Sequence, residues 1–73
     1  MHIQVDPTSC LDELAGRLAA NQCLVRRDAD GGCRVRVIGA GDDDAALMEV
    51  RFYTAAWASR RPGVRVVVTA RCD

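Results

Sequence analysis

Ile3 and Val5 alternate with His2 and Gln4 at the start of the chain, the period-two pattern of a short strand with one buried face. Asp6-Pro7 then reads as a helix N-cap and first helical residue, because Asp accepts from the orphan N–H groups of a first turn and Pro has no N–H to lose. Leu11, Leu14, Ala15 and Leu18 recur at helical spacing, with Asp12, Glu13 and Arg17 on the other side. Glu13 stands four residues before Arg17, the favourable order for a helical ion pair. Asn21 fits the C-terminal cap. Gly16, inside this helix, predicts close approach by another backbone, expected to be the second helix.

Two strands follow, Cys23 to Asp28 and Cys33 to Ile38, around a turn centred on Asp30-Gly31-Gly32, where glycine supplies the positive φ of a tight reversal. With Ala29 opposite Cys33, Val25 faces Val37 and Arg26 faces Arg36. That parity puts Cys23, Val25, Cys33, Val35 and Val37 on one face, and Leu24, Arg26, Arg34, Arg36 and Ile38 on the other. Arg27 is the misfit of the inward set, at a strand end from which it can escape. A last strand splits likewise, with Val64, Val66, Val68 and Ala70 inward and Arg65, Val67, Thr69 and Arg71 outward.

Between them, Asp42, Asp43 and Asp44 open a long helix, and Pro62-Gly63 stops it after Arg60 and Arg61. The preceding Gly39-Ala40-Gly41 is a poor phosphate loop, since three carboxylates occupy the anion-binding end of the helix. Ala46, Val50, Tyr53 and Trp57 line one side of this helix, while Met48, Phe52, Ala55 and Ala56 line much of the opposite one. A helix apolar on two sides in so small a domain predicts a second buried contact, and these last four residues are its candidate oligomer interface.

The element order βαββαβ, with right-handed crossovers, predicts an α+β ferredoxin-like sandwich: a four-stranded antiparallel sheet in the order 4-1-3-2, with two helices on one face. Residues 1–73 read as a single domain. Such a chain buries only about 60% of the surface that its unfolded form exposes, so a partner subunit, a disulfide or a metal is a common source of added stability. The predicted open face carries Gln4, Leu24, Arg26, Arg34, Arg36, Ile38, Arg65, Val67, Thr69 and Arg71, a strongly basic surface with a small apolar stripe. Formal net charge is zero; the acidic residues are expected at the helix starts and the hairpin tip.

At 49% hydrophobic and 27% charged residues, the chain is neither disordered nor membrane-spanning, and its first residues lack the pattern of a secretory signal. A cytoplasmic location is expected. All ten basic residues are Arg, the codon signature of a GC-rich bacterial genome. Cys10, Cys23, Cys33 and Cys72 contain no CxxC pair, so metal-free cysteines are expected, reduced in a cytoplasmic setting, with Cys23 and Cys33 buried in the core and no cofactor. Thr8-Ser9-Cys10-Leu11 superficially resembles the metal-binding loop of heavy-metal-associated domains. Their motif needs two thiolates and this loop has Cys10 alone, so their ligand set does not carry over. With Asp6 as N-cap, Val5 and Cys10 occupy the two positions of a hydrophobic staple.

Three classes of function use such a fold, and fold alone does not choose among them. A nucleic-acid module would use the sheet arginines with stacking aromatics, but Phe52, Tyr53 and Trp57 all fall on the second helix. RNA binding on the same face is therefore the alternative. A single-thiol metal or redox module at Cys10 is a further one, since the positive end of a helix favours a thiolate. No nucleophile has a visible base, so no catalytic residue is assigned. The favoured class is a non-catalytic interaction or ligand-sensing module, the role that paired domains such as ACT domains play. It is expected to be a homodimer binding an acidic protein or small anion through Arg26, Arg34, Arg36, Arg65 and Arg71.

Overall fold

A computed structural model describes residues 1–39 and 41–70. The chain runs β1 (His2–Asp6), a short 3-10 turn (Thr8–Cys10), α1 (Leu11–Ala20), β2 (Cys23–Arg27), β3 (Cys33–Val37), α2 (Asp43–Ser59) and β4 (Arg65–Thr69). Every strand pair is antiparallel and the sheet order is β2-β3-β1-β4, which counted from the other edge is 4-1-3-2. Both helices cover one face. Leu11, Leu14 and Leu18 of α1 and Val50 and Trp57 of α2 join Ile3, Val5, Cys23, Cys33 and Val35 in a single buried cluster.

The strand faces follow the expected parity, with Ile3, Val5, Cys23, Cys33 and Val35 buried and their outward neighbours exposed, apart from the half-buried His2. The hairpin register differs by two residues. Arg27, not Ala29, lies opposite Cys33, which sets Arg26 against Arg34 and Leu24 against Arg36. The loop causes this: Asp28 N–H donates to the Gly32 carbonyl at 3.0 Å, Gly31 N–H returns to the Asp28 carbonyl at 3.3 Å, and Gly31 takes φ 89°. Asp28 therefore belongs to the turn. A slip of two keeps every side chain on its face.

The start of α1 also departs from expectation. Asp6 stays in β1 opposite Arg65, so it does not cap the helix; Pro7 leads into the 3-10 turn, and Cys10 is the residue before the first helical one, without a side-chain cap bond. The strand is extended through Asp6 because the β1–β4 ladder continues to that residue. Val5 is thereby drawn into the sheet core, and Cys10 packs half-buried against the same cluster, so the two are not a staple pair. Asn21 is the C-cap as expected, its Nδ2 donating to the Arg17 carbonyl at 2.7 Å. At the start of α2, the first of the three Asp residues that open it is the N-cap: Asp42 Oδ1 accepts from Ala45 N–H at 2.7 Å. Ala70, read as the inward end of the last strand, lies past β4 and is exposed.

Ala46, Val50, Thr54 and Trp57 form the buried side of α2. Thr54 takes the central place that the pattern gave to Tyr53, and its hydroxyl is satisfied by donating to the Val50 carbonyl at 2.9 Å. The two helices are tied by Glu13, whose Oε2 accepts from Trp57 Nε1 at 2.8 Å and pairs with Arg61. The Arg61 guanidinium also lies over the Trp57 ring, 4.5 Å from its centroid.

The glycine that meets another backbone is Gly32, not Gly16. Gly16 has open space where a Cβ would sit, whereas a Cβ on Gly32 would lie 2.7 Å from the Ile3 carbonyl oxygen and 2.9 Å from the His2 ring. The two therefore have opposite mutational signs. Gly16→Ala is expected to stabilise by about 0.5–1 kcal/mol through helix propensity, and Gly32→Ala to destabilise by about 1–3 kcal/mol through forced separation of β1 from the hairpin. Urea titrations followed by Trp57 fluorescence check both; equal shifts of the same sign would contradict this packing.

Candidate anion-binding face

The sheet face away from the helices is built by strand alternation alone. Across it, at the start of β1 and the end of β4, runs the row Arg26, Arg34, His2 and Thr69, one residue from each strand. Beside it lie Leu24 and Arg36, directly opposed on β2 and β3, with Ile38 just beyond. Opposed side chains on an antiparallel pair have Cβ atoms about 5 Å apart and diagonal ones about 7 Å. Arg26, Arg34 and Arg36 therefore make one triangle of guanidinium groups, flanked by Leu24 and Ile38, which are 57% and 53% exposed.

The five arginines named from the sequence do not all meet. Arg65 is on β4, at the far edge and opposite Asp6. Arg71 lies outside the described residues. Arg27, the inward misfit, escapes to the surface and pairs with Asp12 of α1. The apolar stripe is likewise split, because Val67 on β4 is three strand spacings, about 14 Å, from the strand carrying Leu24.

Like charges directly opposed across a sheet are unfavourable. Part of that cost at Arg26 and Arg34 is relieved within the chain: Arg34 Nε lies 3.3 Å from Asp28 Oδ1. Among the described residues Arg26 and Arg36 make no ion pair. The patch thus has three guanidinium groups and one carboxylate that is itself shared, since Asp28 Oδ2 is 3.1 Å from His2 Nε2.

That histidine was not singled out by the sequence, and it brings together the one group of three potential metal ligands found among the described residues. One ligand atom each from His2, Asp28 and Asp30 lies within 4.8 Å of the others. The donors are already committed: Asp28 bridges His2 and Arg34, and Asp30 Oδ1 accepts from Gly32 N–H at 3.0 Å. The Arg34 guanidinium beside Asp28 disfavours a dication there. The cluster acts instead as a clasp holding the start of β1 to the hairpin tip. Two residues of the turn and one 26 positions upstream meet only through the β1–β3 register, so only the Asp28-Ala29-Asp30 spacing could have hinted at it.

Of the candidate interface on α2, Met48, Phe52, Ala55 and Ala56 are all exposed, Phe52 at 75% and Met48 at 61%. Cys10 is half-buried, and no disulfide joins Cys10, Cys23 and Cys33. Burial raises the Cys33 thiol above its ordinary value of 9.0, with Arg27 opposing and Asp28 adding to the shift. Burial, reinforced by Glu49, also raises Cys23.

A thiol raised on folding ionises first in the unfolded chain, so its contribution to stability is complete below the ordinary thiol range and declines as pH rises above about 9. Denaturant midpoints measured from pH 7 to 10.5 are expected to fall over the upper part of that range, less steeply in Cys33→Ala. Cys10 is expected to react with iodoacetamide in the native protein, with Cys23 and Cys33 reacting only on unfolding. Equal native labelling of Cys10, Cys23 and Cys33 would contradict the burial described.

No match to this chain is found among protein-family models, curated proteins or solved structures, so its functional reading rests on the chemistry of this face.

Proposed function

We propose that this protein is a non-catalytic binding module that takes an acidic partner, a carboxylate-rich peptide segment or a small anion, on the Arg26–Arg34–Arg36 patch. The observation that carries the reading is the excess of guanidinium over carboxylate on adjacent positions of a rigid strand pair, with Arg26 and Arg36 making no ion pair among the described residues. Guanidinium grips carboxylate or phosphate through two parallel hydrogen bonds, and an anion between opposed arginines removes their mutual repulsion. Exposed Leu24 and Ile38 beside the charges favour a peptide with acidic and aliphatic side chains over a bare inorganic ion.

RNA remains the alternative for the same face. Against it, Phe52, Tyr53 and Trp57 all lie on α2, and the single ring on the strands, His2, is held by Asp28, so the face lacks a row of stacking aromatics. A Cys10-centred activity has less support, since Cys10 belongs to no group of three potential metal ligands among the described residues. In the same reading the architecture is the ferredoxin-like sandwich, supported by its element order and strand neighbours. Bacterial origin rests on the all-Arg composition, and a cytoplasmic setting is part of the same reading; no helix among the described residues is long and apolar enough to cross a membrane.

The test is a calorimetric titration with an Asp/Glu-Leu peptide, inorganic phosphate and a single-stranded oligoribonucleotide, each at two salt concentrations. Saturable peptide binding, weakened about tenfold or more by Arg36→Glu and unchanged by Arg65→Glu, is the expected result. Tighter binding of the oligoribonucleotide, with affinity falling steeply with salt, would replace this reading by the nucleic-acid one. Equal effects of the two substitutions would remove the patch as the site.

A further inference from the structure

The solvent side of α2 is ordered beyond simple exposure. Ala45, Met48, Phe52, Ala55 and Ser59 follow one another at spacings of 3, 4, 3 and 4 residues, and all five are exposed. That alternation is the seam of a packed helix pair, not the wider stripe of a helix lying on a sheet. The opposite side of α2, through Ala46, Val50, Thr54 and Trp57, is already used by the core. Among the described residues nothing covers this second seam.

We infer that the partner is a second copy of this chain, docked through α2 against α2 in antiparallel orientation about a twofold axis passing beside Phe52. Two features select that occupant and that direction. First, the helix is self-complementary in size: with the axis at Phe52, near the middle of Asp43–Ser59, Met48 of each copy lies across from Ala55 and Ala56 of the other. Large side chains meet small ones on both sides, and the two Phe52 rings meet at the centre. Second, the helix is self-complementary in charge. Asp42, Asp43 and Asp44 stand at its start and Arg60 just after its end, Arg61 being engaged with Glu13 in its own chain. Antiparallel docking sets the acidic end of each helix beside the basic end of the other, whereas parallel docking would oppose like ends. Glu49 and Arg60 share one flank of the seam, and a twofold contact brings like flanks together, so Glu49 of one copy faces the side of Arg60 of the second. Neither makes an ion pair among the described residues.

This contact leaves the open sheet face free, because α2 lies on the other side of the sheet. The assembly would therefore present two Arg26–Arg34–Arg36 patches, and its test is independent of whether they bind an anion.

Sedimentation equilibrium on the full chain at 20–100 μM, taken as about that range of ordinary working concentration, is expected to give twice the 7.9 kDa chain mass. Phe52→Glu, at a position 75% exposed in the single chain, is expected to give a folded monomer by circular dichroism and mass. Orientation is read by oxidative cross-linking against the unsubstituted protein as background. Phe52→Cys is expected to link to itself, Ala45→Cys to link to Ser59→Cys when the two are mixed, and Ala45→Cys alone to give no link above background. A monomeric parent chain, a Phe52→Glu variant that stays dimeric, or self-linking of Ala45→Cys would each overturn the inference.

Discussion

Ile3 and Cys33 stand directly opposite each other on the two central strands, both fully shielded from solvent, and the rest of the molecule depends on that pair being covered. A domain of this length has only two helices with which to cover a sheet, so one face is dry and the other is not. Leu14 and Leu18, both 1% exposed or less, supply the α1 side of the lid, and Val50 and Trp57 the α2 side. Burying each such side chain contributes on the order of 2 kcal/mol. Moving any strand by one residue would exchange its buried and exposed sets, which makes parity the property that the sequence protects most strongly.

The polar contacts are placed where that thin core would otherwise come apart. Strand β1 begins within two residues of the chain's first amino acid and is tied to β3 at its start, where Met1 exchanges backbone hydrogen bonds with Val35 at 2.9 and 3.1 Å. The His2–Asp28–Asp30 clasp holds the same strand to the hairpin tip. Across the top of the core, Glu13 satisfies the indole N–H of the buried Trp57 and pairs with Arg61, so the two helices cannot separate without breaking a charge-assisted bond.

The surfaces that the core does not use therefore differ in kind. The open sheet face carries cations at fixed spacing on hydrogen-bonded strands, a rigid array suited to anions. The outer side of α2 carries Met48 and Phe52 among small residues, a surface suited to shape-matched packing. They lie on opposite sides of the sheet. The proposed anion binding and the proposed self-association would therefore not compete for one surface.

Element order, the strand faces, the burial of Cys23 and Cys33 and the two-sided character of α2 were legible in the sequence, because each is written in a local period of two or of about 3.6 residues. The end of α1 at Asn21 and the Asp42 cap were legible for the same reason, being interactions within four residues. The hairpin register was not, since the turn's hydrogen bonds place Asp28 in the loop and no periodicity distinguishes registers that differ by two. The start of α1 was misread because a ladder partner 59 positions away, Arg65, holds Asp6 in the sheet. Likewise only the tertiary structure could show that Arg65 is separated from Arg26, Arg34 and Arg36, that His2 meets Asp28, and that Gly32 rather than Gly16 touches another backbone. Local sequence determines which way a side chain faces; which side chains it faces depends on strand neighbours and register, and those are fixed by contacts between residues far apart in the chain.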